Sequence, residues 1–413
     1  MKNQLLICVH CLFVSLGVVG QSDVSSPYSL FGVGKDNSNY FGGSNGLGNT
    51  GIGYSNSLSL NKINPASLTA IKGGTFLYDL GISSTLSYKE DKNNSQSNFD
   101  FNFTHIAMGF STGRFWKMSF GLVPRTKTSY QVVFANQVEG SSTPYYTNID
   151  GSGGISEVFW GHGLKVTENL SLGIELLSYF GSVSQVRTIY YETTVISLDQ
   201  RDNYSGLGLK GSLQYTIPNL LGGRTTVGLI ANLPSELKGT QTVSGTKTFS
   251  DSGYLIIEET EEDIDDMNFP LKLGMGISTQ LKSVTFNLDY QKNYWSDSYI
   301  SNENFEYRDQ QVFGFGVEYN HESKKSNYPK NTAFRFGVNY DSGYLRLSDS
   351  KIDNYSVSLG LGLPISKTGS SLNFSYSYGK EGTLNNNLVI DNYHKFTLNI
   401  SQVGNWFIKR KIF

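Results

Sequence analysis

The chain of 413 residues has two cysteines, Cys8 and Cys11, and none after them. Disulfides and thiol chemistry are therefore excluded from everything downstream. Proline (9) and methionine (5) are scarce, and charged side chains make up 16% of residues, against the roughly 25% usual for soluble domains. The net charge of -2 offers no basic footprint for nucleic acid. After residue 20 no apolar run approaches the roughly eighteen residues of a membrane-crossing helix, and the mean hydropathy is -0.28. A bundle of membrane helices is thus excluded. Catalytic signatures are missing too. His10 lies in the first apolar run, and His105, His162, His321 and His394 are scattered. No HExxH, no Gly-x-Ser-x-Gly elbow and no paired metal-ligand spacing occurs. The pairs Gly206–Gly208 and Gly360–Gly362 sit in strand-like sequence rather than ahead of a helix, so they are not nucleotide loops. No enzyme, cofactor or metal centre is expected.

What the chain does have is Tyr 26, Phe 25 and Gly 45, with a dominant period of two. Leu372, Phe374, Tyr376 and Tyr378 alternate with Ser371, Asn373, Ser375 and Ser377. Val284, Phe286, Leu288 and Tyr290 alternate with Thr285, Asn287, Asp289 and Gln291. Alternation places the two sets on opposite faces of a strand. The apolar set is aromatic in most strands, and no amphipathic helix is left over to cover it. This predicts an all-β fold: a fourteen-stranded antiparallel transmembrane β-barrel. The candidate strands are 75–88, 98–112, 114–133, 154–166, 169–184, 205–217, 223–234, 268–280, 283–296, 308–320, 331–342, 354–365, 369–380 and 391–403. Tight links such as Gly113, Thr167–Glu168, Leu281–Lys282 and Ser366–Thr368 alternate with long ones, 134–153, 185–204 and 235–267, and His321–Lys330 is intermediate. An outer-membrane barrel alternates in this way, with short periplasmic turns and longer outer loops. An even strand count returns both termini to the periplasm.

The organisation follows. Residues 1–20, with Lys2 and a mostly apolar Leu5–Val19, read as an export signal cleaved near Gly20–Gln21. Residues 21–73 are rich in glycine and lack alternation, and Leu47, Ile52, Leu58, Leu60, Ile63 and Leu68 need burial. They are expected to form a hatch inside the barrel, the other reading being a periplasmic tail. Residues 74–403 form the barrel. Residues 404–413, with Lys409, Arg410, Lys411 and the final Phe413, form a short basic periplasmic tail. The polar faces carry charge: Lys272, Asp289, Glu318 and Arg335 on successive strands form a candidate ladder of mixed sign, and Lys117, Glu157, Glu175 and Lys210 add charge opposite. Filter, hatch dock and simple lumen solvation are the readings open to them. A polar interior argues against a wide apolar tunnel. The acidic run Glu258, Glu259, Glu261, Glu262, Asp263, Asp265 and Asp266 lies in the longest connection. It has no EF-hand spacing and reads as a solvated outer loop, with divalent-ion binding the alternative.

Several motifs carry a family likeness. Gly46-Leu47-Gly48-Asn49-Thr50-Gly51-Ile52-Gly53 is followed by Asn64-Pro65-Ala66-Ser67-Leu68, and a strand carries Ser119-Phe120-Gly121-Leu122-Val123-Pro124. Gly151-Ser152-Gly153-Gly154 and the ending Trp406-Phe407-Ile408-Lys409-Arg410-Lys411 add to it. The chain resembles the long-chain fatty acid transporter-like (FadL/TodX) barrels, especially their divergent Bacteroidota members. The resemblance implies passive uptake of small hydrophobic molecules past a hatch, with Asn64, Pro65 and Ala66 as the hatch motif. It also implies sideways release through the wall near a kinked third strand. Gly121 and Pro124 are the candidates for that opening, since proline belongs at a bulge or an edge; alternatively, Pro124 marks the top of the wall. Expected partners are outer-membrane lipid, a hydrophobic small-molecule ligand and other outer-membrane proteins. The second functional class is a non-transporting accessory or structural barrel of a larger secretion or barrel-insertion assembly.

Overall fold

The structure, a computed structural model, describes residues 26–37, 40–137, 140, 144–220, 222–249, 253–298, 305–321, 332–347 and 349–405. The expected export signal, residues 1–20 with Cys8 and Cys11, and residues 406–413 of the expected tail lie outside these residues. The strands are β1 (Lys35–Asp36), β2 (Thr75–Glu90), β3 (Ser95–Ser111), β4 (Trp116–Pro124), β5 (Thr126–Gln137), β6 (Pro144–Lys165), β7 (Leu170–Tyr191), β8 (Thr194–Leu220), β9 (Gly223–Asn232), β10 (Ser235–Phe249) and β11 (Gly253–Phe269). They continue as β12 (Lys272–Leu281), β13 (Val284–Asn293), β14 (Phe305–Tyr307), β15 (Gln310–His321), β16 (Thr332–Asp341), β17 (Leu345–Leu347), β18 (Ser350–Lys351), β19 (Asn354–Pro364), β20 (Ser371–Gly382) and β21 (Ile390–Asn405).

Fourteen staves close the wall: β2, β3, β4 with β5, β6, β7, β8, β9, β12, β13, β15, β16, β19, β20 and β21. Closure is the antiparallel ladder of β2 with β21, from Thr75↔Asn405 to Glu90↔Ile390. That ladder leaves no bare sheet edge where the first and last staves meet. The side chains alternate as the sequence implied, but inside out relative to a soluble sandwich. On β13, Phe286 and Leu288 are 40% and 57% exposed, while Asn287 and Asp289 are 2% exposed. Apolar side chains outside and polar ones inside are stable only where the outside is lipid.

Three of the scattered histidines join aromatic clusters on the wall rather than any site. Trp116 Nε1 donates to His162 Nδ1 at 3.3 Å, with Trp160 alongside. His321 lies against Tyr319. His394 sits among Tyr88, Tyr376 and Tyr378. Tyr and Trp are the amphipathic rings that membrane barrels carry on their outer faces.

The long connections depart from expectation. The segment 185–204 is not a loop: β7 runs to Tyr191 and β8 starts at Thr194, joined by a tight turn in which Glu192 has φ +49°. The segment 134–153 is largely β5 and β6. The segment 235–267 is the β10–β11 hairpin, and β10 pairs with β8 over Thr194–Gly206. The acidic run therefore lies on strand β11, not in a loop. These segments escaped sequence reading because water covers both of their faces. Thr240, Thr242, Thr246 and Thr248 can then alternate with other polar residues, leaving no hydrophobic period. β8 has 27 residues, which at about 3.3 Å each is far longer than a ~25 Å apolar belt requires.

Candidate functional site

Residues 26–37 and 40–74, the candidate hatch, pack against polar faces of the wall strands. The described chain starts beside β5, where Ser26 N donates to Ser129 O at 3.2 Å. It descends and enters β2 at Thr75, beside Asn405. The even strand count thus brings the end of β21 to the short-turn face. Phe31 and residues of two connections, β13–β15 and β16–β19, form an aromatic cap. Phe31 packs on Phe305 at 5.0 Å, and Trp295 stacks on Tyr344 at 4.7 Å; Trp295, Tyr307, Leu345 and Leu347 are all buried.

Polar contacts hold this candidate hatch against the wall. Asn64 is fully buried: its Oδ1 accepts from Ala66 N at 3.0 Å, and its Nδ2 donates to Ile52 O at 2.8 Å and Leu213 O at 3.3 Å. It thereby caps the turn Pro65–Ala70, with Pro65 at the position where a missing N–H costs nothing. Ala66 N also donates to Ser212 Oγ of β8 at 3.0 Å. The backbones approach so closely that a Cβ on Gly173 would lie 2.2 Å from Ala66 N, and one on Gly337 would lie 1.9 Å from Gly48 N. Asp289 clamps the hatch, its Oδ2 accepting from Gly51 N at 2.6 Å and Ile52 N at 2.9 Å.

Lys62 is the central ionic anchor. Its Nζ pairs with Glu157 Oε1 at 2.8 Å and with Glu175 Oε1, and Lys210 Nζ reaches Glu175 Oε1 at 2.9 Å and the Lys62 carbonyl at 3.0 Å. All four side chains are less than a tenth exposed. Burial opposes the Lys62 charge, but the two glutamates outweigh it and push its pKa above the usual lysine value. Higher up, Arg125 Nη1 pairs with Asp36 Oδ1 at 2.5 Å. On β2 and β3, His105 Nε2 meets Asp79 Oδ1 at 2.6 Å, and the ring of Phe41 stacks on His105 at 3.7 Å.

The four-residue charge ladder is divided among three tasks. Glu318 Oε2 accepts from Arg335 Nε at 2.7 Å, and Arg335 Nη1 also reaches Asn373 at 3.0 Å. Asp289 holds hatch backbone rather than a neighbouring cation. Lys272 lines cavities beside the hatch. Glu157, Glu175 and Lys210 do converge, and the partner that joins them is Lys62, whose place in an irregular segment gave the sequence no face to assign. Lys117 lies elsewhere, near the short turn, with Nζ donating to Gly113 O at 2.6 Å. On β11, Glu259, Glu261, Glu262, Asp263, Asp265 and Asp266 are exposed.

The third stave is broken. β4 ends at Pro124, β5 begins at Thr126, and Arg125 N donates to Ile155 O at 2.7 Å. β6 follows both halves by bending at Gly153 (φ +110°) and Gly154 (φ +143°), conformations that glycine tolerates. β3 pairs with β4 over Ile106–Ser111 only, and among the described residues no ladder joins the outer half of β3 to β5, whose backbones stand apart. At Gly121 a Cβ would lie 2.6 Å from Ile106 O. Hatch segments line the free edge of β5 from within: β1 pairs with Lys127 and Thr126, and Asn37 N donates to Arg125 O at 2.9 Å. Across the gap, Lys127 Nζ on β5 donates to Asp100 Oδ1 at 2.6 Å and Asn102 Oδ1 at 2.8 Å on β3. Two cavities flank the hatch. One, of about 270 Å³, is lined by Lys35, Asp100, Lys127, Asp341, Glu381 and Lys395. The other, of about 90 Å³, lies under the break against Pro124, Arg125, Glu157, Lys210 and Lys272. Both are walled by charge.

The fold is similar to that of several solved barrels. The Pseudomonas putida toluene transporter TodX superposes with a TM-score of 0.61 at 14% identity, covering 91% of this chain and 100% of that one. A FadL homologue from Pseudomonas aeruginosa gives 0.59 at 11% identity, covering 89% and 100%. The monoaromatic hydrocarbon channel CymD gives 0.57 at 18%, covering 89% and 98%. At these identities the shared property is the fold. No curated protein matches the chain in sequence. A family model described as BamG matches residues 1–413.

Proposed function

This chain belongs to the BamG family, and on that premise we propose that it is a hatch-sealed outer-membrane barrel serving as an accessory or structural subunit of a larger assembly. The observation that carries this reading is the seating of the hatch by buried charge, with Lys62 between Glu157 and Glu175 and with Asp289 on the Gly51 and Ile52 amides. Opening a path would separate buried ion pairs, at about 3–5 kcal/mol for each uncompensated charge. An apolar cargo would then have to displace water from cavities walled by charge. The BamG name fits an accessory role. In this reading the short turns and the end of β21 face the periplasm, and the aromatic cap faces outward. Blue-native migration after mild extraction tests it. The chain is expected in a complex larger than one barrel; migration as a single barrel overturns the reading.

Passive uptake of small hydrophobic molecules is the second reading, and the broken third stave favours it. Two neighbours in fold are described as a toluene transporter and a monoaromatic hydrocarbon channel, and sideways release would occur beside Gly121 and Pro124. The hatch motif Asn64-Pro65-Ala66 would then hold the gate shut. An apolar molecule retained through purification, with uptake lowered by Pro124→Ala, supports this reading; unchanged uptake in that variant removes it.

A further inference from the structure

Beyond the membrane belt the wall becomes an open sheet with two edges. β6, β7 and β8 continue past the belt, β5 flanks β6, and the β10–β11 hairpin flanks β8. One edge, β11, carries six exposed carboxylates between Glu259 and Asp266. Such charge discourages strand addition. The other edge is the outer half of β5. From Gln131 to Gln137 it reads Gln-Val-Val-Phe-Ala-Asn-Gln, with no charge and no proline. Val133 is 62% exposed and Phe134 49%. Adjacent residues point to opposite faces, so both faces are apolar there. Natural sheets rarely leave a run of this kind bare.

The direction of its backbone groups follows from the register. Ser129 faces the hatch: its N–H donates to Ser29 Oγ at 3.1 Å and its carbonyl accepts from Ser26 N at 3.2 Å. The Arg125 carbonyl likewise accepts from Asn37 N. In an antiparallel ladder a residue's two backbone groups point to the same side, and successive residues alternate. The β5–β6 register runs without a shift from Thr128 to Gln137. Gln131, Val133, Ala135 and Gln137 therefore turn N–H and C=O away from β6. Among the described residues no ladder continues on that side beyond the hatch contact at Ser129. The same edge already accepts one added strand, since β1 pairs with Thr126 and Lys127.

We propose that the outer edge of β5, Gln131–Gln137, docks an extended, uncharged segment of another surface-exposed protein by strand addition. This rests on the assembly reading above and gives that assembly a contact surface. The partner would supply main-chain donors and acceptors at every second residue. Its small or β-branched apolar side chains would lie beside Val133 and Phe134, continuing the ladder that the hatch begins.

Hydrogen–deuterium exchange of the full chain, compared between native outer-membrane vesicles and dilute purified protein in detergent, tests this. The Val133 and Ala135 amides are expected to exchange about tenfold or more slowly in vesicles. Val133→Lys should erase that difference while the barrel keeps its heat-modifiable migration. Equal exchange in both preparations overturns the proposal. Protection in purified protein that grows with concentration, alongside a dimer mass, assigns the edge to a second copy and also overturns it. Protection that persists on dilution and is lost in Val24→Pro assigns it to the chain's own upstream residues, with the same consequence. If the chain migrates in a large complex while these amides exchange equally, the docking edge fails and the assembly reading stands. Migration as a single barrel fails the assembly reading first.

Discussion

Replacing Lys62 by methionine would remove one of two cations from a buried cluster that also holds Glu157, Glu175 and Lys210. The four charges balance in the intact protein, so the variant leaves one uncompensated carboxylate. All four side chains are under a tenth exposed, so solvent screening offers little relief. Breaking a buried pair by removing one partner costs about 3–5 kcal/mol. That cost falls on the docked hatch, because Lys62 belongs to the hatch and its partners to the wall. The opening equilibrium of the hatch should rise by roughly two to three and a half orders of magnitude. Native-state hydrogen exchange of the amides from Gly51 to Leu68 reads this directly. The barrel ladders, which do not include Lys62, should keep their protection. A companion variant sharpens the test: adding Glu157→Gln to Lys62→Met restores neutrality around Glu175 and Lys210, and should recover at least half of the lost protection. Unchanged hatch exchange in Lys62→Met, or no recovery in the double variant, would refute the ionic account of the seating.

Further outcomes follow from the same geometry. Gly337→Val places side-chain atoms where the Gly48 backbone now lies, 1.9 Å from the added Cβ; hatch protection should be lost while the barrel band on semi-native gels persists. In planar bilayers the intact protein should show no steady conductance, and deletion of residues 26–70 should open a large channel; a conducting intact protein would sink the sealed reading. Lys127→Ala should cost at most about 1 kcal/mol, because Lys127 is 26% exposed in its pair with Asp100, so unfolding midpoints of the two proteins should nearly coincide. The raised pKa of Lys62 has a defined sign. Its contribution is full below the unfolded lysine value of about 10.4 and is lost only as pH rises through the higher folded value. Hatch proteolysis should therefore be flat from neutral pH to about pH 10 as far as Lys62 decides it, and a sharp rise near pH 8 would point to another anchor.

The wall was legible because membrane strands have two unlike surroundings. Phe286, Leu288 and Asn287 carry that contrast residue by residue, and tight links such as Lys282, here with φ +53°, mark where the chain reverses. At the end of β4 stands Pro124, a residue that removes a ladder donor and that the sequence already singled out as a kink or a wall top. That β3 would fail to pair with β5 was not visible, because pairing over distance leaves no local period. The long hairpins β7–β8 and β10–β11 were hidden for a related reason, both faces being polar alike. The charges of the hatch dock were half legible. Glu157, Glu175 and Lys210 lie on polar strand faces, whereas Lys62 and the Gly51 and Ile52 amides sit in an irregular segment without periodicity. The role of Asp289 could not be read at all, since its partners are backbone groups that every residue carries.

Native mass spectrometry of the gently extracted chain addresses the central claim, because it weighs protein partners and small ligands in one spectrum. A sealed accessory barrel is expected to carry additional protein subunits and no stoichiometric hydrophobic ligand. A spectrum of the lone chain bearing a small apolar molecule, released when Pro124 is replaced, would contradict it and leave the uptake reading in its place.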